Sequence, residues 1–421
     1  MDNNWIDDVL DECEHVETPR SWLWWSLCCA ISAAAGNNYF LVTLKGAVVF
    51  KPNLYAILMG KSGLGKEFPV NLAKELVQQA NVTRVIAGRS SIQAVIQELA
   101  TTKTYPKDAN KSPIMDGRGF IVNGELSTAI IQDPDALTVL TDLYDNKSSW
   151  TNLLKGDGPR EIKRPYITCL FGSSPAHFYD SIPQVNIEGG YIGRNLLVFE
   201  EKRHKETDLL DDSDELDISG FPYSKFTPHL ELIASKSGRI IPDSAAKELF
   251  NEWRKKWRGM DDDDNTGFRN RVPAHILKTA MCLSLADREP TLVITAEHMV
   301  EAIEKVVGLT YANKRAVEGK GTEPLAAQIK MVIDFLLVAE DHELKRKQLL
   351  TKGYGYYDTV ALDKIIENLE EMGWIKKERF TAGKASDWII ILTGAPLEQY
   401  KKFIESRRAG KNEANKRNEP V

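Results

Sequence analysis

The sequence predicts an α/β fold with a helical N-terminal segment, a helical region after the sheet and a small C-terminal domain. Three observations carry that reading. Short apolar runs recur between helical segments: "LYAILMG" (54–60), "GFIVNGE" (119–125), "YITCLFGSS" (166–174) and "NLLVFEE" (195–201). Such runs suit strands buried on both faces of a parallel sheet. The first run ends in a glycine-rich turn and continues as a helix, and from about residue 230 the pattern is helical.

Composition sets the outer bounds. The chain has 421 residues, 43% hydrophobic and 27% charged, with a net charge of −6. That length accommodates one domain of ordinary size and one or two smaller ones. The acidic balance argues against a protein that coats nucleic acid through its overall charge, so any such contact must be local. Five cysteines at 13, 28, 29, 169 and 282 form no CxxC, and the seven histidines have no metal-ligand spacing. Neither a disulfide framework nor structural zinc is expected. The acidic opening "MDNNWIDDVLDECEHV" is not a signal peptide. "WLWWSLCCAISAAA" (22–35) is too short to span a bilayer and reads as a buried helix. The expected setting is cytoplasm, with no membrane partner.

Residues 1–38 read as a helical segment ending at Gly36-Asn37-Asn38. A hairpin follows, "YFLVTL" (39–44) and "AVVF" (47–50), turning at Lys45-Gly46. The α/β core spans 39–228 and a helical lid 229–318. The acidic run 261–264 reads as a solvated loop. "GKGTEP" (319–324) is a linker. Residues 325–395 hold three helices, then "WIKKERF", the turn "TAGKAS" and "DWIIILT", the pattern of a winged helix. The polar stretch 396–421 is expected to be disordered.

The stretch "MGKSGLGKEFPV" (59–70) carries the chemistry. Successive backbone N–H groups in a glycine-rich loop, backed by a helix N-terminus, form a concave anion site. Gly60, Gly63 and Gly65 let the backbone approach phosphate, and Lys66 reaches the β- and γ-phosphates of ATP. The next residue, where such loops carry Ser or Thr on magnesium, is Glu67. The second half of such a site is an apolar strand ending in two acids. Here "FIVNGELS" (120–127) ends in Gly124-Glu125. The water-orienting glutamate, Glu125, is present, and the metal-supporting aspartate is replaced by Gly124. The core has therefore lost a carboxylate at 124 and acquired one at 67. Glu67 is the candidate Mg2+ ligand that compensates, because magnesium takes one or two protein carboxylates and keeps several waters. Independent erosion of both positions is the competing reading.

Further features follow in order. A hairpin with a basic tip around Lys155-Gly156-Asp157-Gly158 precedes the third strand, which ends in Ser173-Ser174-Pro175. "GGYIGRNLLVF" (189–199) places Arg194 just before the fourth strand, and "HILKTAMCLSLAD" (275–287) precedes "TLVITAEHMVEAI" (291–303). This order resembles the hexameric replicative helicases of the MCM and superfamily-3 type. More closely, it resembles the helicase-like ATPases of phages and mobile elements, over about residues 20–310. The resemblance implies a P-loop ATPase (AAA+-like) core, ATP and Mg2+, and a homo-oligomeric ring, with a hexamer expected. It implies that Lys66 binds phosphate and Glu125 polarises water. Ser174 stands at the sensor position, and Arg194 acts as an arginine finger on a neighbouring subunit. Lys278 lies near the second-sensor position, with Arg269 and Arg271 as rivals. It also implies replication of phage or mobile-element DNA in a bacterial host, beside a separate primase or polymerase.

Single-stranded or forked DNA is the expected partner. Lys155, Lys163 and Arg164 would line a pore, whose narrow channel concentrates their field. Lys384 in the wing is a further candidate. Trp150 reads as core rather than as a base-stacking group. The presumed recognition helix carries Asp358, Asp363, Glu367, Glu370 and Glu371 against Lys364, so the small domain contacts either DNA or protein. Two other functions fit the same residues: a loading factor that uses ATP for assembly, and a nucleotide-dead scaffold.

Overall fold

The structure is a computed structural model. It describes residues 4–101, 103–104, 113–114, 116–126, 135–154, 158–175, 177–178, 182, 190–206, 221–259, 267–310, 324–353, 357–382, 385–395 and 397–398. Contacts divide the chain into two units, Met1–Val317 and Glu318–Val421.

In the first unit the expected single helical stretch is two helices, α1 (Trp5–Glu12) and α2 (Arg20–Ala35). Asn4 caps α1 by accepting the N–H groups of Ile6 and Asp7. Pro19 separates the two helices, since the residue before a proline is pushed out of the helical region. α2 ends at Gly36, whose φ is +53°. The hairpin strands are β1 (Tyr39–Thr43) and β2 (Val48–Phe50), antiparallel, with positive φ at Lys45 and Gly46 making the turn.

The main sheet draws on five strands. β3 (Tyr55–Met59) leads through the glycine-rich loop into α3 (Glu67–Ala80). β4 (Val85–Ala87), α4 (Ile92–Ala100), β5 (Arg118–Asn123) and α5 (Ala136–Tyr144) follow. A hairpin of β6 (Ser149–Leu154) and β7 (Gly158–Lys163) precedes β8 (Tyr166–Ser173), and β9 (Leu196–Phe199) completes the set. The sheet order is β9-β3-β8-β5-β4, and every pairing is parallel. The fold is thus mixed α/β with a parallel sheet. β4 escaped the sequence reading because three residues carry no measurable period.

Both faces of the sheet are covered. Ala56 and Leu58 of β3 pack on the side of α2 and α3, while Tyr55, Ile57 and Met59 pack on the side of α4 and α5. α2 is buried throughout 22–35, as expected for a helix apolar all round. Of its two buried hydroxyls, Ser32 Oγ lies 2.7 Å from Thr168 Oγ1 and accepts the Leu54 N–H at 3.1 Å, whereas Ser26 Oγ is buried without a hydrogen-bond partner among the described residues. α6 (Tyr223–Ser235), α7 (Ser244–Arg258), α8 (Phe268–Ala286) and α9 (Ala296–Gly308) follow the sheet. No helix among the described residues is long and apolar enough to cross a membrane.

The second unit holds α10 (Pro324–Val338), β10 (Glu343–Lys345), α11 (Arg346–Lys352), α12 (Thr359–Glu371), β11 (Ile375–Ala382) and β12 (Ala385–Leu392). The strands form an antiparallel sheet ordered β10-β12-β11. β10 is a third strand that the sequence reading did not include. Val332, Leu336, Leu349, Leu362, Ile365, Leu369 and Ile390 form its core.

Trp22 joins α2 to the end of the sheet. It is fully buried, and its indole N–H donates to the Val198 carbonyl at 2.9 Å. Trp22→Ala should lower the unfolding free energy by about 3–5 kcal/mol through the cavity it leaves. The check is the urea midpoint. A loss below about 1 kcal/mol would contradict this packing role.

Candidate functional site

In a parallel sheet all strand C-termini lie along one edge. Met59 of β3 is in register with Ser173 of β8 and Phe199 of β9, and Asn123 of β5 with Phe171 of β8. This edge is the head of the sheet, and the opposite edge is its foot. β8 lies between β3 and β5. The end of β8, with Ser174, therefore falls between the glycine-rich loop and Glu125.

The loop is built from above and below. Gly63 and Gly65 have φ of +85° and +82°, conformations that suit glycine. A Cβ on Gly60 would sit 2.7 Å from both the Glu200 carbonyl and the Trp22 ring, so only glycine lets the chain pass. Thr18 Oγ1 donates to the Gly65 carbonyl at 3.1 Å, and Arg203 Nη2 donates to the Gly63 carbonyl at 3.1 Å. Arg203 also pairs with Glu17. These supports were not read from the sequence. Their only local signals are the Thr-Pro pair before α2 and a basic residue just after β9.

Lys66 is nearly buried at the start of α3. Its Nζ donates to the carbonyls of Gly60 at 2.8 Å and Lys61 at 2.9 Å, and it lies 5.8 Å from the Trp22 ring centre. Burial lowers its pKa, while the charges of Glu125 and Glu67 act in the opposite direction. Both carboxylates are thus within electrostatic reach of the ammonium. Glu125 is oriented by its backbone, whose N–H donates to Asn123 Oδ1 at 3.1 Å. Asn123 in turn donates to the Gly88 carbonyl.

The two departures from the usual pattern are neighbours. A Cβ on Gly124 would lie 3.5 Å from Glu67 Cγ. A carboxylate on residue 124 would project toward that of Glu67. Gly124 is also held close to β8, because Gly172 leaves room for its carbonyl; a Cβ on Gly172 would lie 2.3 Å from that oxygen. No cluster of three or more His, Cys, Asp or Glu side chains suited to a metal occurs among the described residues. That does not conflict with magnesium, which commonly takes one or two carboxylates together with phosphate oxygens. The residues present fit a nucleotide and one magnesium at the head. Ser174 caps the turn after β8, its Oγ accepting the His177 N–H at 3.3 Å.

Arg194, expected to act on a neighbouring subunit, and Lys278 lie at the other end of the sheet. Arg194 precedes β9 and therefore sits at the foot. Its Nη2 lies 2.9 Å from Asp145 Oδ2, its Nε 3.3 Å from Asp145 Oδ1, and its Nη1 donates to the Gly190 carbonyl at 3.2 Å. Lys278 was expected near the loop as a second sensor, but it also lies at the foot. Its Nζ donates to Asn53 Oδ1 at 2.7 Å and rests 3.7 Å from the Tyr144 ring centre. Asn53 precedes β3 and Gly60 follows it, so the two ends are about 20 Å apart at the rise of a strand. Packing of the apolar α8 under the sheet carries Lys278 away from the loop. Of its rivals, Arg271 is at the foot with Arg194, both guanidinium groups flanking Gly190, and Arg269 stacks on Trp257 at 4.8 Å.

Lys163 and Arg164 are exposed where β7 ends, also at the foot. Lys155, Lys384, the acidic run 261–264 and the tail beyond 398 lie outside the described residues. Trp150 packs against the core on the α5 side. In the second unit Arg346 forms a two-point pair with Asp363 at 2.6 and 2.7 Å, and Lys376 pairs with Glu378 at 2.9 Å. Several of its basic groups are therefore engaged with its own acids.

Burial pushes the Lys278 pKa down to about 7, with Asp145 opposing. Its unfolded value stays near 10.5. Between these values the unfolded chain binds a proton that the folded chain has released, so stability should rise with pH across that window. Lys278→Met should remove the rise and stabilise the chain most at the acidic end. Asn53 Oδ1 stays satisfied by Asn146 Nδ2 at 2.7 Å. Urea midpoints at the two ends of the window are the check; equal pH dependence in both proteins would refute this.

Set against protein-family models, the chain matches none, and no curated protein matches it.

Proposed function

We propose that the chain is an ATP-driven DNA translocase or helicase with a P-loop ATPase core, working as a ring of identical subunits. The single observation that carries this reading is the head of the sheet. Lys66 donates into the carbonyls of a loop with two positive-φ glycines, at the start of a helix, with Glu125 in electrostatic reach. Loop N–H groups and the helix N-terminus favour phosphate oxygens. Lys66 would exchange loop carbonyls for the β- and γ-phosphates. Glu125 would orient the attacking water, and Ser174 would contact the terminal phosphate from the end of β8. The nucleotide supplies the phosphoanhydride whose cleavage drives movement.

Glu67 is the proposed magnesium ligand. Its support is the space over Gly124, which keeps a second carboxylate away from it. Arg194 is the proposed finger for a neighbouring copy. Its position at the foot, away from its own loop, favours action in trans, where it would exchange Asp145 for transition-state charge on the neighbour's nucleotide. Lys163 and Arg164 on the hairpin would meet DNA. The second unit is read as a winged helix, and its internally paired charges favour a protein contact over a DNA one. A loading factor with slow turnover is the second reading, favoured by the missing acid at 124 and by the engagement of Arg194 with Asp145.

ATP hydrolysis with and without single-stranded DNA tests the proposal. DNA should stimulate turnover, and Lys66→Ala and Arg194→Ala should each abolish the stimulated rate. Binding of ATP with assembly but no turnover above the Lys66→Ala background would favour the loading factor. Assembly unchanged by Lys66→Ala would favour a scaffold. Glu67→Ala should raise the magnesium concentration for half-maximal turnover by about tenfold, equivalent to about 1.4 kcal/mol. An unchanged magnesium requirement would remove Glu67 from the metal site.

A further inference from the structure

Two hairpins leave the foot of the first unit, and their bases share one polar root. Asn37, just before β1, donates its side-chain amide to the Arg164 carbonyl at 2.8 Å. Lys51, just after β2, donates its Nζ to Asn37 Oδ1. Arg164, just after β7, has Nη2 3.3 Å from Asp116 Oδ2. Arg118 binds the same carboxylate through Nε at 2.8 Å and Nη2 at 2.9 Å, and its Nη2 lies 3.3 Å from Asn38 Oδ1. Gly36, at φ +53°, admits that guanidinium; a Cβ there would be 2.9 Å from Arg118 Nη1.

The root is rich in positive charge. Lys51, Arg118 and Arg164 gather around one carboxylate, Asp116, which is almost wholly buried. Arg118 is buried with it, whereas 59% of the Arg164 side chain is exposed. Burial and the charge of Arg164 lower the Lys51 pKa; Asp116 opposes this and Arg118 adds to it. A lysine among like charges gains from an incoming anion. The backbone also holds Arg164 under strain, at φ +44°, a region that non-glycine residues seldom occupy. Strain of this kind persists where surrounding contacts over-determine it, and it concentrates at functional positions. Lys163 stands exposed beside it.

We propose that Lys51 and Arg164 form a binding site for one backbone phosphate of a nucleic-acid strand, at the shared root of the two hairpins. Arg118 and Asp116 are positioning residues that fix the guanidinium of Arg164. This rests on the nucleic-acid part of the proposed function and adds Lys51 and the β1–β2 hairpin to it. An exposed guanidinium beside a half-buried ammonium suits phosphate oxygens, which position a strand without reading its bases. The contact is therefore independent of base sequence and sensitive to salt.

The test is fluorescence anisotropy of the full chain with a fluorescein-labelled thymidylate oligonucleotide over a series of KCl concentrations. Arg164→Asn and Lys51→Gln should each weaken binding about three- to tenfold and reduce the salt slope by about one. The melting temperature of Arg164→Asn should be unchanged or raised, because asparagine accepts positive φ more readily. Folded variants that bind with the parent's affinity and slope would overturn this site while leaving the nucleic-acid reading intact. A parent that binds no oligonucleotide would overturn both. Inorganic phosphate binding that both variants lose, with the oligonucleotide slope unchanged, would make the root a free-anion site and overturn the proposal.

Discussion

The contact between Trp22 and Gly60 is the point on which the rest of the first unit turns. Gly60 ends β3 with no space for a side chain, because the indole ring and the Glu200 carbonyl already occupy it. The same ring faces Lys66, and its N–H is held by β9. One buried tryptophan from the N-terminal helices thereby ties together β3, the loop that follows it and the edge strand β9. The N-terminal helices are accordingly part of the sheet's core, since α2 fills one face of it.

A parallel sheet covered on both faces leaves only its two edges for polar chemistry. At the head, strand ends bring the loop, Ser174 and Glu125 together. At the foot gather Arg194, Lys278, Arg271 and the hairpin roots. The groups proposed to receive phosphate and the groups proposed to act on a neighbour or on a strand are thus separated by the length of the strands. Coupling between them in the proposed ring would run through β3, β8 and β5, the interior strands of the sheet, which are packed on both faces.

Electrostatics distinguishes the two ends. At the head, Lys66 donates to backbone carbonyls and feels the charges of Glu125 and Glu67. The foot has fewer acids than bases. Asp145 serves Arg194, Asp116 serves Arg118 and Arg164, and Lys278 rests on an amide and a ring face. Of these pairs only Asp116 with Arg118 is buried on both sides, and such a pair costs more to desolvate than its pairing returns unless the hydrogen bonding is complete.

Local pattern determined much of this by itself. The apolar runs located four of the five sheet strands, and glycine spacing located the loop, because both depend on neighbours within a few residues. The burial of 22–35 followed from a helix with no polar face. Three things were decided only by tertiary structure. Pairing of Glu67 with the gap at Gly124 was guessed from chemistry, but their proximity depends on β5 and β3 being held apart by β8. The place of Lys278 depends on packing, since α8 is buried along most of its length against α9, α2 and the turn at 192–194, and that packing brings the lysine to Asn53. The shared root of Lys51, Asp116, Arg118 and Arg164 joins residues up to 113 positions apart. No periodicity encodes such a cluster; it arises where antiparallel hairpins are anchored on the foot of a parallel sheet.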